Sequence, residues 1–269
     1  MARIISAIII IPLALLAVIY AKPIHFLLGI GIVGTVCLVE YFRLIRAMSI
    51  RAQPWFGYIA FWVLLFSFRQ SRIPTSTIMA LVLLAAFLTS MWRRKAPVRE
   101  RALGLMAELL GVFYFSLFLY PALPIRYNFG NAYGLHWIVL ILIIIWTGDT
   151  VALVVGKTFG KSPFAPVLSP KKTNEGALAG LLAGLGMAGL VQHFLFKDLA
   201  LNHVMIASIL LGIFGQLGDL AESMLKRAAE VKDSSHLIPG HGGVLDRMDS
   251  LLFAFPVLYF YLLIVQQMK

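Results

Sequence analysis

The stretch KRAAEVKDSSHLIPGHGGVLDRMDS, Lys226 to Ser250, carries eight formal charges and two histidines. It lies between two apolar runs, LLGIFGQLG ending at Gly218 and LLFAFPVLYFYLLIV beginning at Leu251. A charged island between such runs is what a loop joining two membrane-spanning helices looks like. The composition agrees: the chain is 60% hydrophobic and 13% charged, where soluble domains carry about a quarter charged residues. With a mean hydropathy of +0.89, it reads as a polytopic membrane protein and not a soluble one.

A hydrocarbon core about 30 Å thick needs about 20 apolar residues of helix. Nine runs qualify: 3–21, 24–42, 54–68, 74–92, 103–122, 134–156, 176–196, 200–225 and 246–267, the third being the shortest. Backbone groups in lipid must be paired within the segment, so each is read as a helix. The expected fold is therefore all-α, a polytopic membrane helix bundle of about nine transmembrane helices. The first run, RIISAIIIIPLALLAVIYA, reads as a span and not a cleaved leader: its apolar core exceeds the usual length, and IYA is a poor cleavage site. Cys37, the one cysteine, lies inside an apolar run and is read as a packing residue. His25, His136, His193 and His203 are read as interfacial or packing residues.

The basic residues fix an expected orientation. Seventeen of the 23 lie at the N-terminus and in the loops after the even-numbered spans; six lie on the other side. Basic loops face the cytoplasm, which predicts N-terminus in, C-terminus out and an odd number of spans. The net charge of +11 is then explained by loops facing an anionic leaflet, and no nucleic-acid partner is expected.

Twelve acids are present, and eight lie in or beside the last four spans: Asp149, Glu175, Asp219, Glu222, Glu230, Asp233, Asp246 and Asp249. Ionisable groups inside spans are costly and by default mark function. The orientation puts Asp149 and Asp219 in the cytoplasmic halves of spans six and eight, and Asp246 and Asp249 in the first turn of span nine. Asp219, Glu222 or Ser223, and Lys226 share one helix face by their spacing of three and four; Asp246 and Asp249 share another. Helix-terminal charge complementarity for Asp246 and Asp249, or an ion pair for Asp219 or Asp149, are the plainer alternatives. Several carboxylates facing basic loops suit a divalent cation holding a polyphosphate. Asp219, Asp246 and Asp249 are the candidate ligands, with Asp149 a further one. Mg²⁺ is the expected cofactor, with room for a second cation.

Two loops supply groups for an anion. GKTFGKSPFAPVLSPKKTNEGALAG contains Lys171 and Lys172, the hydroxyls of Ser169 and Thr173, and Gly176 where span seven opens; helix-start amides bind phosphate. The second loop holds Lys226, Arg227 and Lys232, then PGHGG, whose Gly242 and Gly243 let backbone approach closely.

These residues resemble a known family. Ser223-x-Leu225-Lys226-Arg227, then Lys232-Asp233, then Ile238-Pro239-x-His241-Gly242-Gly243-x-x-Asp246-Arg247-x-Asp249 is similar, over 27 residues, to the C-terminal motif of the phosphatidate cytidylyltransferases, the CDP-diacylglycerol synthases. Gly218-Asp219-Leu220-x-Glu222-Ser223 and Ser169-Pro170-Lys171-Lys172-Thr173-x-Glu175-Gly176 are similar too. Asn174 departs, since an aromatic residue, usually Trp, is common there. The likeness covers about residues 146–250; the first five spans resemble the family only as apolar helices.

The resemblance implies CMP transfer from CTP to phosphatidic acid, releasing pyrophosphate, with Mg²⁺. It implies catalytic roles for Asp219, Lys226, Arg227, Asp246 and Asp249. It implies substrate binding by Ser169, Lys171, Lys172, Thr173, Glu175, Ser223, Lys232, Asp233, His241, Gly242, Gly243 and Arg247, although Arg247 pairing with Asp219 or Asp249 stays open. Residues 1–133 are expected to be N-terminal transmembrane helices and 134–269 the catalytic transmembrane region. The expected location is the bacterial inner membrane, with the site facing the cytoplasm; a homodimer is a further expectation. The alternatives are a CTP-dependent lipid-alcohol kinase and, in a different class, an ion transporter. A transporter favours midplane sites in internal repeats, and no repeat is visible.

Overall fold

The apolar runs after residue 22 become helices in the computed structural model, which describes residues 12, 15–16, 18–69, 72–92, 96–129, 131–196, 199–238, 240 and 242–267. Most of the expected first span, 3–21, lies outside the described residues, which there are 12, 15–16 and 18–21. The helices are α1 (Pro23–Ala47), α2 (Pro54–Ser67), α3 (Thr75–Met91), α4 (Val98–Leu119), α5 (Ala122–Asn128), α6 (Asn131–Phe159), α7 (Asn174–Leu195), α8 (Leu201–Ala228) and α9 (Leu245–Gln267). Among the described residues six helices, counting α4 with α5 as one, are long and apolar enough to cross a membrane. The chain is a helical, polytopic integral membrane protein. The weak third run becomes α2, whose 14 residues reach only about 21 Å at 1.5 Å per residue.

Two differences from the sequence expectation are physical. First, helices run past the apolar stretches: α1 carries Arg43 and Arg46, and α4 opens with Arg99 and Arg101. Arg101 uses this position to donate from Nε to the Ala96 carbonyl at 2.7 Å and from Nη1 to the Met91 carbonyl, the last residue of α3, at 3.2 Å. Second, the loop after α6 is not irregular. Pro163–Ala165 (β1) and Ser169–Thr173 (β2) form an antiparallel hairpin, with Pro163 opposite Thr173 and Ala165 opposite Ser169.

The chain forms two compact units. One contains Ile24–Tyr120 and Leu225–Asp246; the other contains Val18–Pro23, Pro121–Met224 and Arg247–Lys269. In the first unit, Phe56, Ala60 and Leu64, spaced by four along α2, pack with Val82 and Ala86 of α3 and Val112 of α4. Large apolar side chains such as Leu81, Leu84 and Leu88 of α3 are exposed, as a lipid-facing surface requires. Tyr41 of α1 is fully buried and donates from its hydroxyl to the Ala107 carbonyl of α4 at 2.8 Å.

The second unit is built on a seam of small residues. Gly148, Ala152 and Gly156 of α6, each four apart, face Gly176 and Gly180 of α7. A Cβ on Gly180 would stand 2.6 Å from the Gly148 carbonyl oxygen, and one on Gly176 would stand 2.6 Å from that of Ala152. In lipid, apolar side chains gain nothing by leaving solvent, so helices associate through such close backbone packing. The seam fixes α6 against α7 and thereby positions Asp149 and the start of α7.

Candidate active site

In the second unit the hairpin delivers the lysines. Side chains alternate across a strand, and Lys171 is exposed while Lys172 turns inward. Lys172 Nζ meets Asp219 Oδ2 of α8 at 2.5 Å, both side chains being a little over a quarter exposed. Ser223, one turn further along α8, donates from Oγ to Asp219 Oδ1 at 3.4 Å. Asp149, on α6, is exposed and lies within the fields of Asp219, Lys172 and Arg247. Gln216 Nε2 donates to the Ala177 carbonyl at 3.0 Å, tying α8 to the first turn of α7. Gly218 allows a close approach of α9, since a Cβ there would meet the Asp249 carbonyl and Phe253. Asp249 Oδ1 accepts the Ser250 amide at 2.6 Å.

Other predicted residues build the hairpin's base. Thr173 caps α7, its Oγ1 accepting the Gly176 amide at 3.2 Å, the bond an N-cap threonine makes. Glu175 accepts the Lys161 amide at 3.1 Å and the Ser162 amide at 3.2 Å. Asn174 donates its amide to the Ser162 carbonyl at 2.9 Å. Ser169 begins β2 and is partly buried.

In the first unit the charged loop wraps two buried carboxylates. Asp246 accepts from Lys226 Nζ at 2.7 Å, from the Ser234 amide at 3.0 Å and hydroxyl at 2.7 Å, and from the Gly243 amide at 2.7 Å. Lys226 and Asp246 are both buried, so each charge depends on the other; removing one partner would strand the other in a low-dielectric setting. Gly242 has φ +79°, and a Cβ on it would come 2.7 Å from Asp246 Oδ2. That position therefore needs glycine twice over, for its backbone angle and for space.

Several of the predicted residues are exposed. Arg227 is exposed, and its Nη1 donates to the Val231 carbonyl at 3.2 Å, closing the end of α8. Lys232, Asp233 and Arg247 are exposed. His241 lies outside the described residues. Among the described residues no three His, Cys, Asp or Glu gather closely enough to form an all-protein metal cage. His203 packs structurally, its Nδ1 sharing a 2.8 Å hydrogen bond with the Tyr261 hydroxyl.

The second carboxylate of the first unit is not among the residues expected from sequence. Glu40 of α1 is buried and accepts from Ser234 Oγ (3.2 Å), Ser235 Oγ (2.5 Å), the Val244 amide (3.1 Å) and the Leu245 amide (2.7 Å). A signal for it exists: it is a lone acid inside the apolar run 24–42, the type of residue that marks function.

A sequence profile of the cytidylyltransferase family matches residues 1–265. This chain belongs to the cytidylyltransferase family. The match reaches into the N-terminal spans, beyond the segment 146–250 that carries the motif. Among similar proteins, a phosphatidate cytidylyltransferase of Bacillus subtilis is 34% identical over 241 residues, 88% of each chain. One from Staphylococcus saprophyticus is 45% identical over 125 residues, 46% of this chain and 48% of its own. One from Staphylococcus haemolyticus is 44% identical over 125 residues, again 46% and 48%. Membership of a cytidylyltransferase family makes the chain a nucleotidyltransferase by kind, and it weighs against the lipid-kinase and transporter alternatives.

Proposed function

We propose that the protein transfers CMP from CTP to phosphatidic acid, giving CDP-diacylglycerol and pyrophosphate. The observation that carries this is the 34% identity to a phosphatidate cytidylyltransferase over 88% of both chains. The charge distribution supports it: polar clusters built on Lys172–Asp219 and Lys226–Asp246 stand in a chain otherwise made of apolar helices. A lipid phosphate and a nucleotide triphosphate are both polyanions, and they call for fixed cations at a membrane boundary.

The nucleophile is an oxygen of the lipid phosphate, already ionised at neutral pH, so no general base is needed. That oxygen bonds to the α-phosphorus of CTP as the bond from the α-phosphorus to its bridging oxygen breaks, and pyrophosphate leaves. The barrier is the meeting of anions, so the protein's work is positioning and charge neutralisation. Lys171, Lys172, Lys226 and Arg227 are proposed as phosphate-binding cations, with Arg247 and Lys232 adding to the positive field.

Mg²⁺ is the cofactor we propose. Such ions are held by one or two carboxylates plus substrate phosphates, and Asp219 with Asp149 in its field fits that donor set. Asp219 is the principal ligand in this reading because it is half-buried and reachable. Asp246 and Asp249 are proposed as further ligands, although the carboxylate of Asp246 already accepts from Lys226, Ser234 and Gly243. Bound there, the cation would neutralise charge on the reacting phosphates.

We further propose a nine-span arrangement with the N-terminus in and the C-terminus out, in the bacterial inner membrane, with the chemistry at the cytoplasmic face. The 17-to-6 distribution of basic residues supports it. Residues 134–269 are proposed to carry the catalytic groups, and a homodimer is proposed as the working assembly. The test is CMP transfer by the purified protein in detergent micelles containing phosphatidic acid. Lipid-bound CMP and pyrophosphate should appear in equal amounts and require Mg²⁺. A protein that is folded yet labels no lipid from CTP would overturn the reading.

A further inference from the structure

We infer that Glu40, in the N-terminal helix α1, is a positioning residue for the transfer reaction: it braces the segment that carries Asp246. The inference rests on the cytidylyltransferase reading above. It runs against a division in which the N-terminal spans only anchor the enzyme.

The geometry is specific. Both oxygens of Glu40 are used, Oε1 by Ser235 Oγ and the Val244 amide, Oε2 by Ser234 Oγ and the Leu245 amide. All four donors lie between Ser234 and Leu245, about two hundred residues further along the chain. Ser234 touches both carboxylates, with Oγ 3.2 Å from Glu40 Oε2 and 2.7 Å from Asp246 Oδ2. Its single hydroxyl proton can serve only one of them at a time, so the placement of the two acids is coupled through one side chain. Gly243 completes the brace. A Cβ there would stand 2.6 Å from both Glu40 oxygens and would meet the Ser234 hydroxyl. The paired glycines are thus explained by two acids: Gly242 yields to Asp246, Gly243 to Glu40.

A carboxylate with this many donors is chemically particular. Glutamine would present an NH₂ to groups that are themselves donors, leaving at least one of them without an acceptor in a buried setting, where that is costly. The segment would then shift, taking with it the Ser234 and Gly243 amides that hold Asp246. Displacements of about 1 Å in supporting groups can cost about a hundredfold in rate.

The experiment compares wild type, Glu40→Gln, Ser235→Ala and the double variant, each purified in detergent. Two readouts are taken: amide hydrogen exchange of the peptide covering 233–245, and kinetics of CMP transfer per folded molecule. Glu40→Gln should expose the 233–245 amides and lower kcat by about a hundredfold, with KM for CTP within about twofold and exchange in α6 and α7 unchanged. Ser235→Ala, which removes one donor and leaves Glu40 charged, should show a milder version of both changes. The double variant should be little worse than Glu40→Gln alone, because the two act as one unit. If Glu40→Gln folds and leaves both the exchange of 233–245 and kcat unchanged, the brace is refuted. If exchange rises but kcat per folded molecule holds, Glu40 is structural only and the positioning role fails. Absence of CMP transfer in the wild type would instead overturn the functional reading, while the exchange result would still decide whether the brace exists.

Discussion

Lys172 Nζ sits 2.5 Å from Asp219 Oδ2, joining the hairpin strand Ser169–Thr173 to helix α8. The contact pairs two groups proposed for opposite tasks, Lys172 to bind an anion and Asp219 to bind a cation. In the proposed reaction a metal–polyphosphate complex would give both charges new partners. Lys172→Gln should therefore lower kcat/KM for CTP by about a hundredfold, and Lys172→Arg, which keeps the charge, should lose less. Steady-state rates at saturating phosphatidic acid measure this; a glutamine variant at wild-type efficiency would remove Lys172 from the site.

Asp219→Asn keeps the shape of the side chain and removes its charge. Mg²⁺-dependent turnover should fall by at least about a hundredfold while the protein stays folded. Asp246→Asn should fall too, through loss of its Lys226 partner and its loop contacts. Glu222→Gln, one turn from Asp219 on the same helix, controls for general loss of intramembrane charge and should be milder. Near-normal turnover of a folded Asp219→Asn protein at ordinary Mg²⁺ would refute the ligand assignment.

The glycine seam makes a paired stability prediction. Gly180→Leu forces side-chain atoms into the Gly148 backbone and should cost about 1–3 kcal/mol or more, seen as a lower Tm in detergent. Gly186, on the same helix, has open space around it, with nothing within 4 Å of where a Cβ would stand. Gly186→Ala should be neutral or gain up to about 1 kcal/mol from helix propensity. Equal effects at the two positions would mean that α6 and α7 do not meet along this seam.

The helices are legible in the sequence because their cause is local: apolar runs in lipid have one way to pair their backbone. Runs 54–68 and 74–92 become Pro54–Ser67 and Thr75–Met91, and 246–267 becomes Leu245–Gln267. The hairpin is not legible, since Ser-Pro-Lys-Lys-Thr has neither apolar alternation nor strong β propensity. Its strands are held instead by one another and by Glu175 at the base. The lysines and acids of the candidate site stand out because charge among apolar residues is conspicuous. Arg227 stands out in the same way, and the structure adds that its Nη1 donates to the Val231 carbonyl just past the end of α8. Glu40 escapes for the opposite reason: its partners lie about two hundred residues away, and no local spacing connects them.

Orientation is testable in whole cells. In a Cys37→Ser background, single cysteines at Ser162 and His236, both exposed, should react with an impermeant maleimide only after the inner face is opened. Labelling of either from outside intact cells would reverse the proposed topology.

In the proposed reaction the α-phosphorus of CTP is the atom attacked. Purified protein is given CTP labelled at the α-phosphate in one reaction and at the γ-phosphate in another, with phosphatidic acid as acceptor. Label should enter the lipid from the α-position alone, with γ-label recovered as pyrophosphate. Label passing to lipid from the γ-position would contradict it and identify a kinase.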